Sequence, residues 1–176
     1  MVQAIKTIFP GEAVTEIYGQ VYTNMDRKQR QEELLNHFWF ECKCRPCREN
    51  WPLLTNMSRT DMSFRCSNCC RFLCKNSEES FSLMLRCGRC HKPTNILKSL
   101  KALEASEKKY YQSVECLKKN NISLALGIAL ENIALYDTLL CPPFPDYYNC
   151  QEISRICMLR LGNKAQPSKE KNPKKV

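Results

Sequence analysis

The apolar and polar positions of this chain fall into four stretches with different rhythms. Over residues 1–22 they alternate around Pro10-Gly11, with Ile5, Ile8, Val14, Ile17 and Val21 as the apolar set. That alternation predicts short strands or extended segments. From Asn24 to Asn36 the spacing becomes helical, with Asp26 or Asn24 as the cap and Leu34, Leu35 and Phe38 as the anchoring side chains. Residues 40–93 lose periodicity and are rich in cysteine, with polar loops at Asn50–Asp61 and Asn76–Ser80. From Ile96 onward the rhythm is helical again. Leu97, Leu100, Leu103, Tyr110, Val114 and Leu117 form one apolar stripe, which Asn120-Asn121 interrupts. A second helix is predicted from Ile122 to Leu140 with Leu126, Ala129, Leu130, Ile133 and Leu140 on its apolar face. Pro142-Pro143 and Pro145 force a loop, and a third helix runs from Asp146 to Leu161 and stops at Gly162-Asn163.

This pattern predicts a mostly α-helical protein with a small irregular β and zinc-binding part. The two helices across the Asn-Asn joint and the third beyond the prolines read as one and a half tetratricopeptide-type repeats or as an ordinary helical hairpin. The tail Lys164–Val176 carries five lysines and two prolines without an aromatic residue, a composition expected to be disordered.

Composition narrows the class. Apolar residues make up 43% of the 176 and charged residues 26%, with only 5 glycines, which favours helices over a turn-rich sandwich. No run approaches the roughly 20 apolar residues of a membrane span. Met1–Pro10 has no apolar core of a secretory signal. The expected setting is therefore a reducing compartment, cytoplasm or nucleus, without a membrane partner.

In that setting the 13 cysteines dominate the reading, because 9 of them lie between Cys42 and Cys90 in closely spaced groups. Such spacing points to metal ligation where disulfides are rare. Cys66-x2-Cys69 and Cys87-x2-Cys90 are two knuckles 17 residues apart, the arrangement that places four thiolates around one structural Zn²⁺. Cys70 and Cys74 are read as bystanders or as register alternatives to Cys69, and His91 as a residue beside an already saturated ion. Cys42-x-Cys44-x2-Cys47 offers three thiolates, one short of a closed tetrahedral site. Either a fourth donor comes from elsewhere, with Cys70 and Cys74 as candidates within the chain, or the position is open and catalytic; three cysteines are an uncommon set for hydrolysis, which favours the missing structural ligand. The formal charge of +9 falls to about +5 if both sites hold zinc through four thiolates each. Arg65, Arg71, Arg86, Arg89 and Lys92 surround the knuckles and read as a solvated face, so charge argues against a nucleic-acid partner.

The residues up to the cysteine triplet carry a family resemblance. Pro10-Gly11-Glu12, Glu16-Ile17-Tyr18-Gly19, the charged helix 27–35 and His37-Phe38-Trp39-Phe40-Glu41-Cys42-Lys43-Cys44-Arg45-Pro46-Cys47 resemble the end of a SET domain and its post-SET cysteines. The chain as a whole looks most like the SET-and-MYND protein-lysine methyltransferases, in the branch that carries tetratricopeptide repeats. The resemblance covers residues 2–162 and is specific over 8–47. It implies the end of a SET domain at 1–39, a post-SET cluster at 40–50, a zinc knuckle module at 62–93, a repeat-like helical region at 96–162 and a disordered tail at 163–176. It also implies that Tyr18 closes the lysine channel and that Phe40 stacks on the adenine of S-adenosylmethionine. Cys42, Cys44 and Cys47 would bind zinc with a fourth cysteine from an upstream Asn-His-Ser-Cys element. The chain contains neither that element nor the glycine-rich strands of the cofactor pocket, so the expectation is a C-terminal part that is not a competent methyltransferase alone. Histone or other protein lysines are the implied acceptors. Without the resemblance, Tyr18 reads as a half-buried strand tyrosine, and Phe38, Trp39 and Phe40 as a wall of the metal cluster. The competing reading is a non-catalytic adaptor whose zinc module and helices hold a partner peptide.

Overall fold

The computed structural model describes residues 8–73 and 82–162. Helices dominate. α1 (Arg27–Phe38) and the single turn α2 (Arg45–Arg48) precede two 3₁₀ turns at Leu54–Asn56 and Arg59–Asp61. Two short hairpins follow, β1 (Ser63–Arg65) with β2 (Phe72–Leu73) and β3 (Met84–Arg86) with β4 (Pro93–Asn95). Then come α3 (Leu97–Lys118), α4 (Ile122–Leu139), the two-residue strand β5 (Leu140–Cys141) and α5 (Pro145–Leu161).

The ends of these helices follow from local chemistry. Asp26 Oδ1 accepts the Gln29 N–H at 3.0 Å and starts α1, which places the helix boundary at Asp26 and not at Asn24. Asn95 Oδ1 accepts the Leu97 N–H at 2.9 Å at the head of α3. Asn120, at φ 59, makes the break between α3 and α4, a left-handed conformation that asparagine tolerates well. Pro145 opens α5, and Gly162 at φ 69 closes it.

α4 is the middle of the helical part: it packs on both α3 and α5, which scarcely touch each other. By length and composition α4 is also apolar enough to cross a membrane, with mean hydropathy 1.3 over 18 residues. A search for an unbroken apolar run passes over it because Ser123, Glu131, Asn132 and Asp137 interrupt the run. Ala125, Ile128, Ala129, Asn132, Ile133 and Tyr136 of α4 are buried.

The facing surface of α3 is not the leucine stripe alone. Its only fully buried side chains are Ser106 and Ser113, seven residues apart on one line, and α4 for its part buries the small residues Ala125 and Ala129. Ser113 keeps its hydroxyl satisfied by donating to the Tyr110 carbonyl at 2.7 Å. Ser106 Oγ lies 2.7 Å from the Leu103 carbonyl and 3.1 Å from Tyr136 Oη, and Asn132 Nδ2 donates to the Ser106 carbonyl at 3.0 Å. This internal polar cluster fixes α3 against α4 by direction as well as by shape.

One apolar core joins hairpins and helices. Phe64, Leu73 and Leu85 of the strands pack with Ile96, Ile133, Tyr136, Leu140 and Phe144 of the helical part, and Cys66 and Cys87 lie in the same cluster. β5 adds to the coupling by leaving α4 and pairing antiparallel with β1, Ser63 opposite Cys141 and Phe64 opposite Leu140. On the surface, Arg59 clamps the second 3₁₀ turn to two helices, with Nη1 2.6 Å from Glu107 of α3 and Nη2 2.8 Å from Asp146 of α5.

One expectation narrows and one fails in the N-terminal part. Residues 8–22 form turns and irregular backbone, so of the short strands or extended segments predicted there no strand forms. Leu34 is buried in α1, but Leu35 and Phe38 are exposed, and the second buried side chain of the helix is Arg30. Among the described residues, only the end of this segment meets helices, through Tyr18 against Phe38 of α1 and Tyr22 against Tyr148 of α5. Ile8, Val14 and Ile17 therefore remain exposed. The predicted polar loop at Asn76–Ser80 and the predicted tail lie outside the described residues.

Overfilling the α3–α4 contact should be costly while trimming α1 should not. Ser113→Leu is expected to lower stability by about 1–3 kcal/mol in urea unfolding, and Leu35→Ser to stay within about 0.5 kcal/mol of the parent. Equal effects at the two positions would show that the small-residue contact is not tight.

Candidate metal centres

Each hairpin carries one knuckle, and the two knuckles are built alike. In the first, the Cys66 N–H donates to the Arg71 carbonyl at 2.7 Å and the Cys70 N–H to the Cys66 carbonyl at 3.0 Å. In the second, the Cys87 N–H donates to the Lys92 carbonyl at 3.0 Å and the His91 N–H to the Cys87 carbonyl at 2.9 Å. Cys70 at φ 56 and His91 at φ 57 take the left-handed position that closes each turn. Arg65 and Arg86 repeat as well: their guanidinium groups donate to the Cys70 and His91 carbonyls, at 3.3 and 3.5 Å. The segments Arg65–Leu73 and Arg86–Thr94 are thus two copies of one structural unit, a correspondence hidden by the substitution of His-Lys-Pro-Thr for Cys-Arg-Phe-Leu.

The two copies converge on one point. Cys66, Cys69, Cys87 and Cys90 bring their four Sγ atoms within 4.8 Å of one another. The cross-knuckle pairs Cys66–Cys90 and Cys69–Cys87 both stand at 3.6 Å. Tetrahedral Zn²⁺ with sulfur at about 2.3 Å sets sulfurs about 3.8 Å apart. The donor set and its spacing therefore fit a closed four-thiolate zinc site.

Hydrogen bonds to sulfur prepare the set for metal. The backbone N–H groups of Cys69 and Asn68 point at Cys66 Sγ and pull its thiol down to about 6. The N–H groups of Cys90 and Arg89 do the same to Cys87, below the usual thiol range. Cys69 stands opposite: the Arg71 N–H favours its thiolate, but burial and the neighbouring thiols outweigh that and push it up to about 11. Thr94, a buried residue without a sequence signal, ties the hairpins together. Its hydroxyl accepts the Ser67 N–H at 3.2 Å and lies 3.8 Å from Cys66 Sγ.

Cys70 and His91 are exposed and belong to neither sulfur cluster; their role is the knuckle turn. Cys74 lies outside the described residues. Of the five basic residues around the knuckles, Arg65 and Arg86 are committed to knuckle carbonyls, and Lys92 reaches Asn68 Oδ1 at 3.1 Å.

The second cluster gathers Cys42, Cys44 and Cys47, again with all Sγ atoms within 4.8 Å. Cys47 is buried, Cys42 half-buried and Cys44 exposed. α2, with Pro46 in its first turn, turns Cys47 back toward Cys44. α1 braces the cluster from the other side. Gln31 grips the backbone of Cys42 in both directions, donating to its carbonyl at 2.7 Å and accepting its N–H at 2.9 Å. Arg30 Nη2 donates to Cys47 Sγ at 3.2 Å. At Cys44 burial raises the thiol, but the Cys47 N–H and the thiols of Cys42 and Cys47 outweigh it and leave it below the usual range. Burial and its hydrogen-bonded neighbour Cys44 push Cys47 up to about 12. This cluster can hold zinc through three donors of the chain.

No protein-family model, no curated protein and no solved structure matches this chain.

Next to the three-cysteine cluster the structure brings the aromatic residues of interest together. The Tyr18 ring meets Phe38 edge-on at 5.3 Å and Phe40 at 5.7 Å. Trp39, at 85% exposed, takes no part and does not wall the cluster.

Because the knuckle sulfurs sit in the same core as Ile133 and Tyr136, stripping the metal should reach the helices. A strong chelator is expected to lower the melting temperature and to broaden near-ultraviolet signals from Tyr136, and Cys87→Ser should do the same without chelator. Loss of metal with an unchanged melting curve would disprove the coupling. Protons compete for the sulfurs, so affinity for Zn²⁺ should fall as pH drops and most steeply below about 6, where Cys66 also takes a proton.

Proposed function

We propose that this chain is the C-terminal part of an S-adenosylmethionine-dependent protein-lysine methyltransferase of the SET-and-MYND type, in which both cysteine clusters are structural zinc sites. The observation that carries the reading is the aromatic corner of Tyr18 and Phe40 immediately before the three-cysteine cluster. These two residues are assigned to the lysine channel and to adenine stacking by resemblance, and they lie 22 positions apart in sequence yet in ring contact. Methyl transfer depends on aligning nucleophile, methyl and sulfur more than on a strong base. A tyrosine held by two aromatic neighbours suits that positioning role. S-adenosylmethionine would supply the methyl group when bound. Two aromatic contacts do not enclose a ligand of its size, so the residues present fit the cofactor only in part, and the chain by itself is read as inactive.

Other features support the assembly implied by this reading. Ile8, Phe9, Val14, Ile17 and Trp39 of the N-terminal part are exposed apolar side chains, which suits cover by further protein. α3, α4 and α5 follow the helix order of a tetratricopeptide-type array, with α4 packed between the other two. Protein lysines are the acceptors in this reading, and cytoplasm or nucleus the setting. A non-catalytic adaptor is the alternative, favoured by the same exposed apolar side chains; it predicts a protein partner retained without any cofactor.

Calorimetry on the isolated chain should show no binding of S-adenosylmethionine. A chimaera in which residues 8–162 replace the matching part of an active SET-and-MYND enzyme should bind the cofactor and methylate protein, and Tyr18→Phe in it should cut the rate by about a hundredfold or more. A folded chimaera that binds no cofactor would sink the methyltransferase reading.

A further inference from the structure

The three-cysteine cluster has a neighbour that structural zinc sites do not require. Arg30 is 5% exposed, in the first half of α1. Among the described residues no carboxylate lies within ion-pair distance of it. Its polar contact is Cys47 Sγ, and its guanidinium carbon stands 6.0 Å from the centre of the Tyr22 ring. A buried cation without an anion is strongly disfavoured. Other arginines of the region differ: Arg45 is half-exposed and paired with Glu49 at 2.8 Å, and Arg48 is exposed. The one source of negative charge that Arg30 touches is the sulfur cluster.

Charge counting gives that contact a purpose. A divalent ion on three thiolates leaves one unit of negative charge, and one guanidinium cancels it. The knuckle site carries four thiolates, two of them buried, and among the described residues no buried cation donates to them; the basic side chains Arg71, Arg89 and Lys92 beside it are exposed. The two clusters are therefore compensated differently.

We infer that Arg30 is the built-in counter-charge of the Cys42/Cys44/Cys47 site, a positioning residue that lets three thiolates of this chain hold a divalent metal although the site is one protein ligand short. The inference rests on reading the cluster as a metal site. Arg30 acts through Cys47, the most buried of the three sulfurs, while Gln31 one residue later sets the backbone of Cys42. Neighbours of this kind hydrogen-bonded to ligands commonly change metal affinity by about 10–100-fold. Tyr22 completes the brace, its ring meeting Trp51 at 5.3 Å and Tyr148 of α5 at 5.2 Å, so that the arginine is held by its stem and ring contact and not by solvent.

The test uses the full chain with Zn²⁺ in competition with a chromophoric chelator, and with Co²⁺ to read the sulfur-to-metal charge-transfer band. The parent is expected to bind two ions, one tightly in the knuckles and one more weakly in the cluster. Arg30→Met should weaken only the second by about 10–100-fold and move its charge-transfer band. Arg30→Lys, which keeps the charge, should recover most of the affinity. The tight ion is the internal control, because a variant that retains it has kept the shared core. A second ion bound by Arg30→Met as in the parent, with an unshifted band, overturns the role of Arg30. Only one ion on the parent overturns the reading of the cluster and the inference with it.

Discussion

Four sulfurs meeting at one point are the constraint from which the rest of this structure follows. The strands of the two hairpins are two or three residues long, too short to persist in water by pairing alone. A metal held between the knuckles would replace the missing sheet, and each hairpin contributes one sulfur to each cross-knuckle pair at 3.6 Å. What the sulfur cluster fixes is passed on by packing. Phe64, Leu73 and Leu85 point from the hairpins into the same core as Ile133, Tyr136 and Phe144. β5 holds the end of α4 to β1. The knuckle module is thus the base on which the three long helices stand.

Much of this was legible because metal knuckles and helix ends carry strong local chemistry. The CxxC pairs named the four ligands by spacing, and Asp26, Asn120-Asn121, Pro145 and Gly162 bounded the helices to within a few residues. What was illegible shares one cause: a polar residue is read as facing water unless something local says otherwise. Ser106 and Ser113 are the fully buried side chains of α3. Asn132 is buried because Ser106 offers it a carbonyl. Thr94 and Arg30 are buried because they serve sulfurs that are distant in sequence. None of these has a periodic signature. The opposite error occurred over 8–22 and at Leu35, where apolar residues suggested a core that the described residues do not provide. The repeat between the two knuckles escaped for another reason, since the conserved part is backbone geometry and cysteine spacing while the flanking side chains differ.

The aromatic corner shows how far resemblance and geometry reach together. Tyr18 and Phe40 were singled out by likeness to a family motif, without regard to each other. The two rings meet edge-on at 5.7 Å. That contact concerns positioning only, because an exposed pair of rings does not desolvate a reacting amine.

The two cysteine clusters differ in what stands against their sulfurs. At the knuckles Cys66 and Cys87 are buried in the shared core and backbone N–H groups point at them, while the basic side chains Arg71, Arg89 and Lys92 around them are exposed. At Cys42/Cys44/Cys47 only Cys47 is buried, and it is there that one guanidinium, Arg30, meets the sulfur. Concentrated compensation makes a site selective in what it stabilises: Arg30 favours the loaded, anionic cluster and is itself disfavoured when the three sulfurs are protonated and empty. With metal bound, ion and arginine would stabilise each other across α1. Arg30 and Gln31 are the contacts through which α1 would feel that ion, as the shared core is the route by which the helices would feel an ion at the knuckles.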